Sequence, residues 1–90
     1  METKVIVITG TRKGIGRFLA EYYLKNDYIV VGCSRSKSDL THDNYEHYCL
    51  DVSDEKQVKK MISAVAIKYK KIDTLINNAG IASMIHTLLT

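Results

Sequence analysis

The chain has 90 residues, 46% hydrophobic and 26% charged, with a formal net charge of +3. That balance describes a globular domain and excludes a disordered or fibrous chain. No apolar run approaches the roughly 20 residues that a bilayer requires, and so small a positive excess gives no reason to expect nucleic acid. Neither a membrane nor a nucleic-acid partner is therefore expected. Met1-Glu2-Thr3-Lys4 leads straight into a strand-like run, so no targeting segment and a cytoplasmic location are expected. Cys33 and Cys49 lie in apolar runs too far apart for a C-x-x-C site, and both are expected to be small buried thiols. His42, His47 and His86 lack metal-ligand spacing, and no metal site is expected.

In chain order, Lys4 to Thr9 contains Val5-Ile6-Val7-Ile8 and predicts a buried strand. The turn Thr9-Gly10-Thr11-Arg12-Lys13-Gly14-Ile15-Gly16 opens an amphipathic run from Ile15 to Leu24. There Ile15, Phe18, Leu19, Tyr22 and Tyr23 recur at helical spacing, and the helix is predicted to end near Asn26-Asp27. Tyr28 to Cys33 is continuously apolar, as in a parallel strand covered on both faces. Ser34 to Asn44 is polar and predicts mostly loop. A third, shorter strand is expected over Tyr45 to Leu50, leading into Asp51-Val52.

Ser53 is a candidate N-cap for a second helix, with Asp54 and Glu55 in its first turn. Val58, Met61, Ile62, Val65 and Tyr69 form its apolar stripe, and Lys68, Lys70 and Lys71 favour its C-terminal end. Ile72 to Asn77 predicts a fourth strand, followed by Asn78-Ala79-Gly80. Alternating strands and helices imply one domain over residues 1–90, an α/β parallel sheet with right-handed crossovers and helices on both faces. In such sheets ligands sit at the carboxyl ends of the strands.

The glycine turn fits that position. Gly10 supplies a backbone conformation closed to other residues, while Gly14 and Gly16 remove side chains where a pyrophosphate and a neighbouring strand would press. Unpaired amides at the helix start point at negative charge. Taken alone, the same turn also serves as a plain strand-to-helix connection.

The pattern T-G-x-x-x-G-x-G, followed late in the chain by N-N-A-G at Asn77 to Gly80, resembles the short-chain dehydrogenase/reductase family. The resemblance implies the N-terminal half of a Rossmann-type sheet with strand order 3-2-1-4 and a dinucleotide cofactor as partner. Where a dinucleotide fold commonly places an acid after its second strand, this chain has Ser34-Arg35. A hydroxyl and a guanidinium bind a 2′-phosphate that a carboxylate would repel. With Arg12 and Lys13 in the turn, this is the pattern the resemblance associates with NADP. The expected cofactor-binding set is Gly10, Arg12, Lys13, Gly14, Ile15, Gly16, Ser34, Arg35, Asp51, Val52, Asn78, Ala79 and Gly80. The resemblance assigns Asp51 and the following amide to the adenine, and Asn78-Ala79-Gly80 to the underside of the adenosine ribose. Asn77 is expected to tie the fourth strand to the first.

The family's catalytic Tyr-x-x-x-Lys is absent: Asn26, Asp27, Gly32, Cys49, Val52 and Asp73 stand four places after the six tyrosines. No catalytic residue is therefore expected in this chain. It is expected to be the N-terminal, NADP-binding part of an oxidoreductase that transfers hydride between the cofactor and a carbonyl or alcohol substrate, truncated before the catalytic segment. The small-molecule substrate and any homo-oligomer would belong to a full-length form. A non-catalytic nucleotide-binding or regulatory module is the alternative, and a longer reading frame containing Tyr-x-x-x-Lys distinguishes the two. A P-loop phosphotransferase is disfavoured because no G-K-S/T closes the glycine turn.

Overall fold

The fold was obtained as a computed structural model that describes residues 3–79. Its centre is strand β1 (Val5–Thr9), buried at every position. The other elements are α1 (Gly14–Lys25), β2 (Ile29–Ser34), β3 (Tyr45–Cys49), α2 (Glu55–Tyr69) and β4 (Thr74–Asn77). The strands are parallel in the order β3-β2-β1-β4, as expected. β1 is apolar throughout because both its faces are covered. On one face Val5 and Val7 pack with Val31, Cys33, Leu50 and the α2 stripe of Val58, Met61 and Val65. On the other, Ile6, Ile8 and Val30 meet Ala20 and Leu24 of α1.

The start of β4 is pinned to β1 through Asp73. Its carboxylate accepts the Val5 N–H at 2.7 Å, and its own N–H donates to the Val5 carbonyl at 2.9 Å. Asn77 ties the other end as expected, its side-chain oxygen accepting from the Thr9 hydroxyl at 2.9 Å. Residues 35–44 form no helix or strand, in agreement with their polar composition.

Four expectations need correction. The strands are one or two residues shorter at several ends than their apolar runs suggest, and β2 extends through Ser34. The buried line of α1 is Gly16, Ala20 and Leu24, with Leu19 and Tyr23 of the expected stripe partly buried beside it, whereas Ile15, Phe18 and Tyr22 are 71%, 67% and 52% exposed. Gly16 lies so near the Gly10 carbonyl that any Cβ would collide with it. The helix therefore approaches the sheet closely at Gly16 and Ala20, and the expected stripe divides between Leu19 and Tyr23 against the core and Ile15, Phe18 and Tyr22 facing outward. Cys33 is buried but Cys49 is exposed, because β3 is an edge strand in this sheet. Finally, Asp54 rather than Ser53 caps α2, its carboxylate accepting the Lys56 and Gln57 N–H groups. Ser53 is diverted by Asp51, which takes both its N–H (2.9 Å) and its hydroxyl (2.7 Å).

No helix among the described residues is long and apolar enough to cross a membrane. Nor do the described residues contain a group of three or more His, Cys, Asp or Glu able to hold a metal ion.

Candidate functional site

The carboxyl ends of β1, β2 and β4 meet at the glycine turn. Gly10 (φ +74°) turns the chain so that its N–H and that of Thr11 both donate to the Cys33 carbonyl, at 2.9 and 3.2 Å. Gly14 also takes a positive φ, of 65°. The Asn78 amide donates to the Gly10 carbonyl at 3.2 Å, and the Ala79 N–H donates to the Thr9 hydroxyl at 3.1 Å. The two motifs, far apart in the chain, thus form one hydrogen-bonded floor.

The helix that leaves this floor has no cap of its own. Lys13 occupies the N-cap position of α1 without a capping side-chain hydrogen bond, and the first turn carries no acid. α2 instead has Asp54 as its cap and Glu55 in its first turn. The amides at the start of α1 are left to an external acceptor, which favours an anionic group.

Two adjoining clefts open over the floor, sharing Gly10, Ser34 and Arg35. One, of about 360 Å³, is completed by Leu50, Asp51, Val52, Ser53 and Ala79. The other, of about 460 Å³, is completed by Arg12, Lys13 and Ser36. Both volumes fall within the ~300–1,000 Å³ range of small-molecule sites. The first has an apolar base and one carboxylate. The second gathers three cations and two hydroxyls, and no acid lines it.

Arg35 connects the clefts. Its side chain is 79% exposed and lies 3.6 Å from the Asp51 carboxylate, a loose pair that can open at little cost. Asp51 is held below the ordinary carboxylate range, first by the Ser53 N–H and then by the Ser53 hydroxyl. It therefore stays ionised as an acceptor.

Of the expected set, Gly10, Arg12, Lys13, Ser34, Arg35, Asp51, Val52 and Ala79 line the clefts. Gly16 and Asn78 support the floor through the Gly10 carbonyl. Gly14 and Ile15 stand on the first turn of α1 outside both clefts. Gly80 lies outside the described residues.

Sequence reasoning missed the support behind Ser34. Thr11 and Tyr45 share a hydrogen bond of 2.7 Å, as do Tyr45 and the His47 Nδ1, and the His47 Nε2 lies 2.8 Å from the Ser34 hydroxyl. Burial raises the Tyr45 pKa, opposed by the Thr11 hydrogen bond, and lowers that of His47, opposed by the Ser36 carbonyl. The available signal was the alternation Tyr45-x-His47 beside Gly32-x-Ser34, two polar residues facing a strand position that lacks a side chain.

Comparison with known proteins agrees with this geometry. The family model described as short chain dehydrogenase matches residues 4–89. The 3-oxoacyl-(acyl-carrier-protein) reductase FabG of Vibrio cholerae is 31% identical over 87 residues, covering 90% of this chain and 36% of that protein. Among solved structures, the ligand-free aldohexose dehydrogenase of Thermoplasma acidophilum superposes with a TM-score of 0.79 at 33% identity, covering 84% of this chain and 29% of that one. ElxO with NADP bound superposes with a TM-score of 0.77 at 37% identity, covering 86% of this chain and 35% of that one. The chain belongs to the short-chain dehydrogenase family. It spans about a third of the length of the relatives it matches.

The residues present fit a dinucleotide. Gly16 leaves no room for a side chain beneath the turn, the start of α1 lacks an acceptor of its own, and the paired clefts separate a cationic site from an apolar one.

Proposed function

We propose that this chain binds the adenosine half of NADP(H) and forms the cofactor-binding part of an oxidoreductase acting on a carbonyl or alcohol. The observation that carries this reading is the cleft in which Arg12, Lys13 and Arg35 meet Ser34 with no acid in its lining. A 2′-phosphate there satisfies cations that have no carboxylate inside the cleft. Arg35 exchanges its loose contact with Asp51 for a bidentate one with phosphate. Ser34 donates a hydrogen bond to the same group. The adenine lies against Leu50 and Val52, where Asp51 accepts from its amino group, and the pyrophosphate faces the uncapped start of α1. When bound, the cofactor supplies the hydride. The acid that protonates a carbonyl oxygen in this family is not provided by any Tyr-x-x-x-Lys of this chain.

Dissociation constants for NADPH and NADH, in the parent and in Arg35→Ala, test the reading. A charge-assisted hydrogen bond contributes roughly 1.5–3 kcal/mol, and each ~1.4 kcal/mol is tenfold in affinity. Because Arg35 is 79% exposed, the lower end applies. NADPH should weaken by about tenfold, with NADH nearly unchanged. Ser34→Asp should shift preference further toward NADH. Equal weakening of both cofactors by Arg35→Ala would refute the 2′-phosphate assignment.

A further inference from the structure

Behind Ser34 runs a chain of hydrogen-bonded side chains with no role in the binding scheme so far. Thr11, fully buried in the glycine turn, meets Tyr45 of β3. Tyr45 and His47, two residues apart, project to the same side of β3, and Gly32 of β2 pairs with His47. A Cβ at Gly32 would collide with the Thr11 and Tyr45 hydroxyls, so the relay occupies the space of a missing side chain.

The carbonyl at the end of the relay sets its proton order. Ser36 oxygen can only accept, and the Ser34 hydroxyl donates to it. The His47 Nε2, 2.8 Å from Ser34 and 3.2 Å from the Ser36 oxygen, must then be the protonated nitrogen. Nδ1 accepts from Tyr45, and the Tyr45 oxygen accepts from Thr11. A neutral ring satisfies every group, and burial favours that form.

We propose that His47 is a positioning residue of the 2′-phosphate pocket, whose Nε2–H holds the Ser36 carbonyl while Ser34 turns to the phosphate and whose ring takes up a proton from solvent as the phosphate binds. The proposal rests on the pocket assignment above. A phosphate monoester carries a charge of about −1.5 to −2, and it would sit one hydroxyl away from the ring, where it favours imidazolium. The proton added at Nδ1 points at the Tyr45 oxygen, Tyr45 turns its own proton to the Thr11 oxygen along the hydrogen bond already present, and the Thr11 hydroxyl hydrogen rotates off that bond.

The charges around the ring come from several elements. Arg12 and Lys13 of the turn and Arg35 after β2 line the neighbouring cleft, and a bound phosphate would offset their charge. Arg17 of α1, which acts on Tyr45, is neutralised by Asp39. Glu46, the neighbour of His47 on β3, is held by Lys68 of α2. Tyr45 is the remaining titratable group in direct contact.

The experiment compares adenosine 2′,5′-bisphosphate with 5′-AMP as ligands of the ninety-residue chain and of His47→Gln. Gln retains a donor for the Ser36 carbonyl but cannot become charged, so binding at about pH 8 should be near parental. On acidification to about pH 6, protonation of the ligand's own 2′-phosphate weakens binding in both proteins. The parent should lose less, so that its advantage for the bisphosphate grows about three- to tenfold, the size expected for opposite charges some 6 Å apart in a half-exposed site. The advantage for 5′-AMP should stay flat.

If the parent prefers the bisphosphate but shares its pH profile with His47→Gln, the proposal fails and the pocket assignment survives. If the parent shows no preference for the bisphosphate, both fail. An NMR titration of the His47 ring in the parent protects the test against a misfolded variant. Its pKa should rise by at least about half a unit on saturation with the bisphosphate, and an unmoved pKa overturns the proposal.

Discussion

Gly16 shows how one missing side chain can set the geometry of a site. A Cβ there would run into the Gly10 carbonyl and the Asn78 amide, which belong to the floor rather than to a flexible tip. Gly16→Ala must therefore push α1 away from β1 or break the Asn78–Gly10 hydrogen bond. Overpacking of this kind costs about 1–3 kcal/mol. The urea midpoint should fall with little change in slope, and NADPH binding should weaken in the same variant because the amides of α1 move with the helix. Parental stability with parental affinity would show that the turn tolerates a methyl group. The glycine itself was legible from its spacing. Its partners were not, since Gly10 and Asn78 come together only when β4 pairs with β1.

At the scale of the elements, the two helices meet their ends differently. α2 has its own cap in Asp54 and ends on Lys70, which adopts a left-handed conformation with φ 68° while its N–H donates to the Ala66 carbonyl. A lysine side chain is strained there and glycine is not. Lys70→Gly should stabilise the chain by about 0.5–1 kcal/mol, read as a higher urea midpoint and with no change in cofactor affinity, because Lys70 lies outside both clefts. A lower midpoint would mean that the greater freedom of glycine in the unfolded chain outweighs the strain. The α2 stripe of Val58, Met61 and Val65 was readable from periodicity and is buried as expected. The α1 pattern was right for Leu19 and Tyr23 and wrong for Ile15, Phe18 and Tyr22, because close approach to the turn placed Gly16 and Ala20 on the buried side.

At the scale of the whole molecule, the proposed cofactor-binding chemistry stands beside no Tyr-x-x-x-Lys. The clefts hold cations, hydroxyls, one carboxylate and uncapped amides, and none of the six tyrosines has a lysine four places on. The ninety-residue chain should therefore bind NADPH yet show no hydride transfer. The check is NADPH absorbance in the presence of a panel of ketones and aldehydes. Consumption above the protein-free rate would reveal an acid of another kind. The exposed side chains Ile15, Phe18 and Tyr22 form an apolar line along α1, unusual for a free surface, so these assays belong at low protein concentration.

Several features followed from local patterns alone. Strands and helices alternated with the period of their apolar residues, the glycines marked the turn, and N-N-A-G completed a motif pair whose resemblance supplied the strand order. Such patterns are legible because they express backbone sterics and burial over a few neighbouring residues. The tertiary structure decided matters that depend on register between strands. It set Gly32 beside His47, brought Tyr45 to Thr11 across 34 residues of chain, and placed Arg35 between the clefts within reach of Asp51. It also turned α1 onto Gly16 and left Cys49 exposed at the edge. The move of the α2 cap from Ser53 to Asp54 was decided locally, by Asp51 taking up Ser53 two residues on; the others are contests between contacts distant in sequence, and their balance is settled only when the sheet closes around β1.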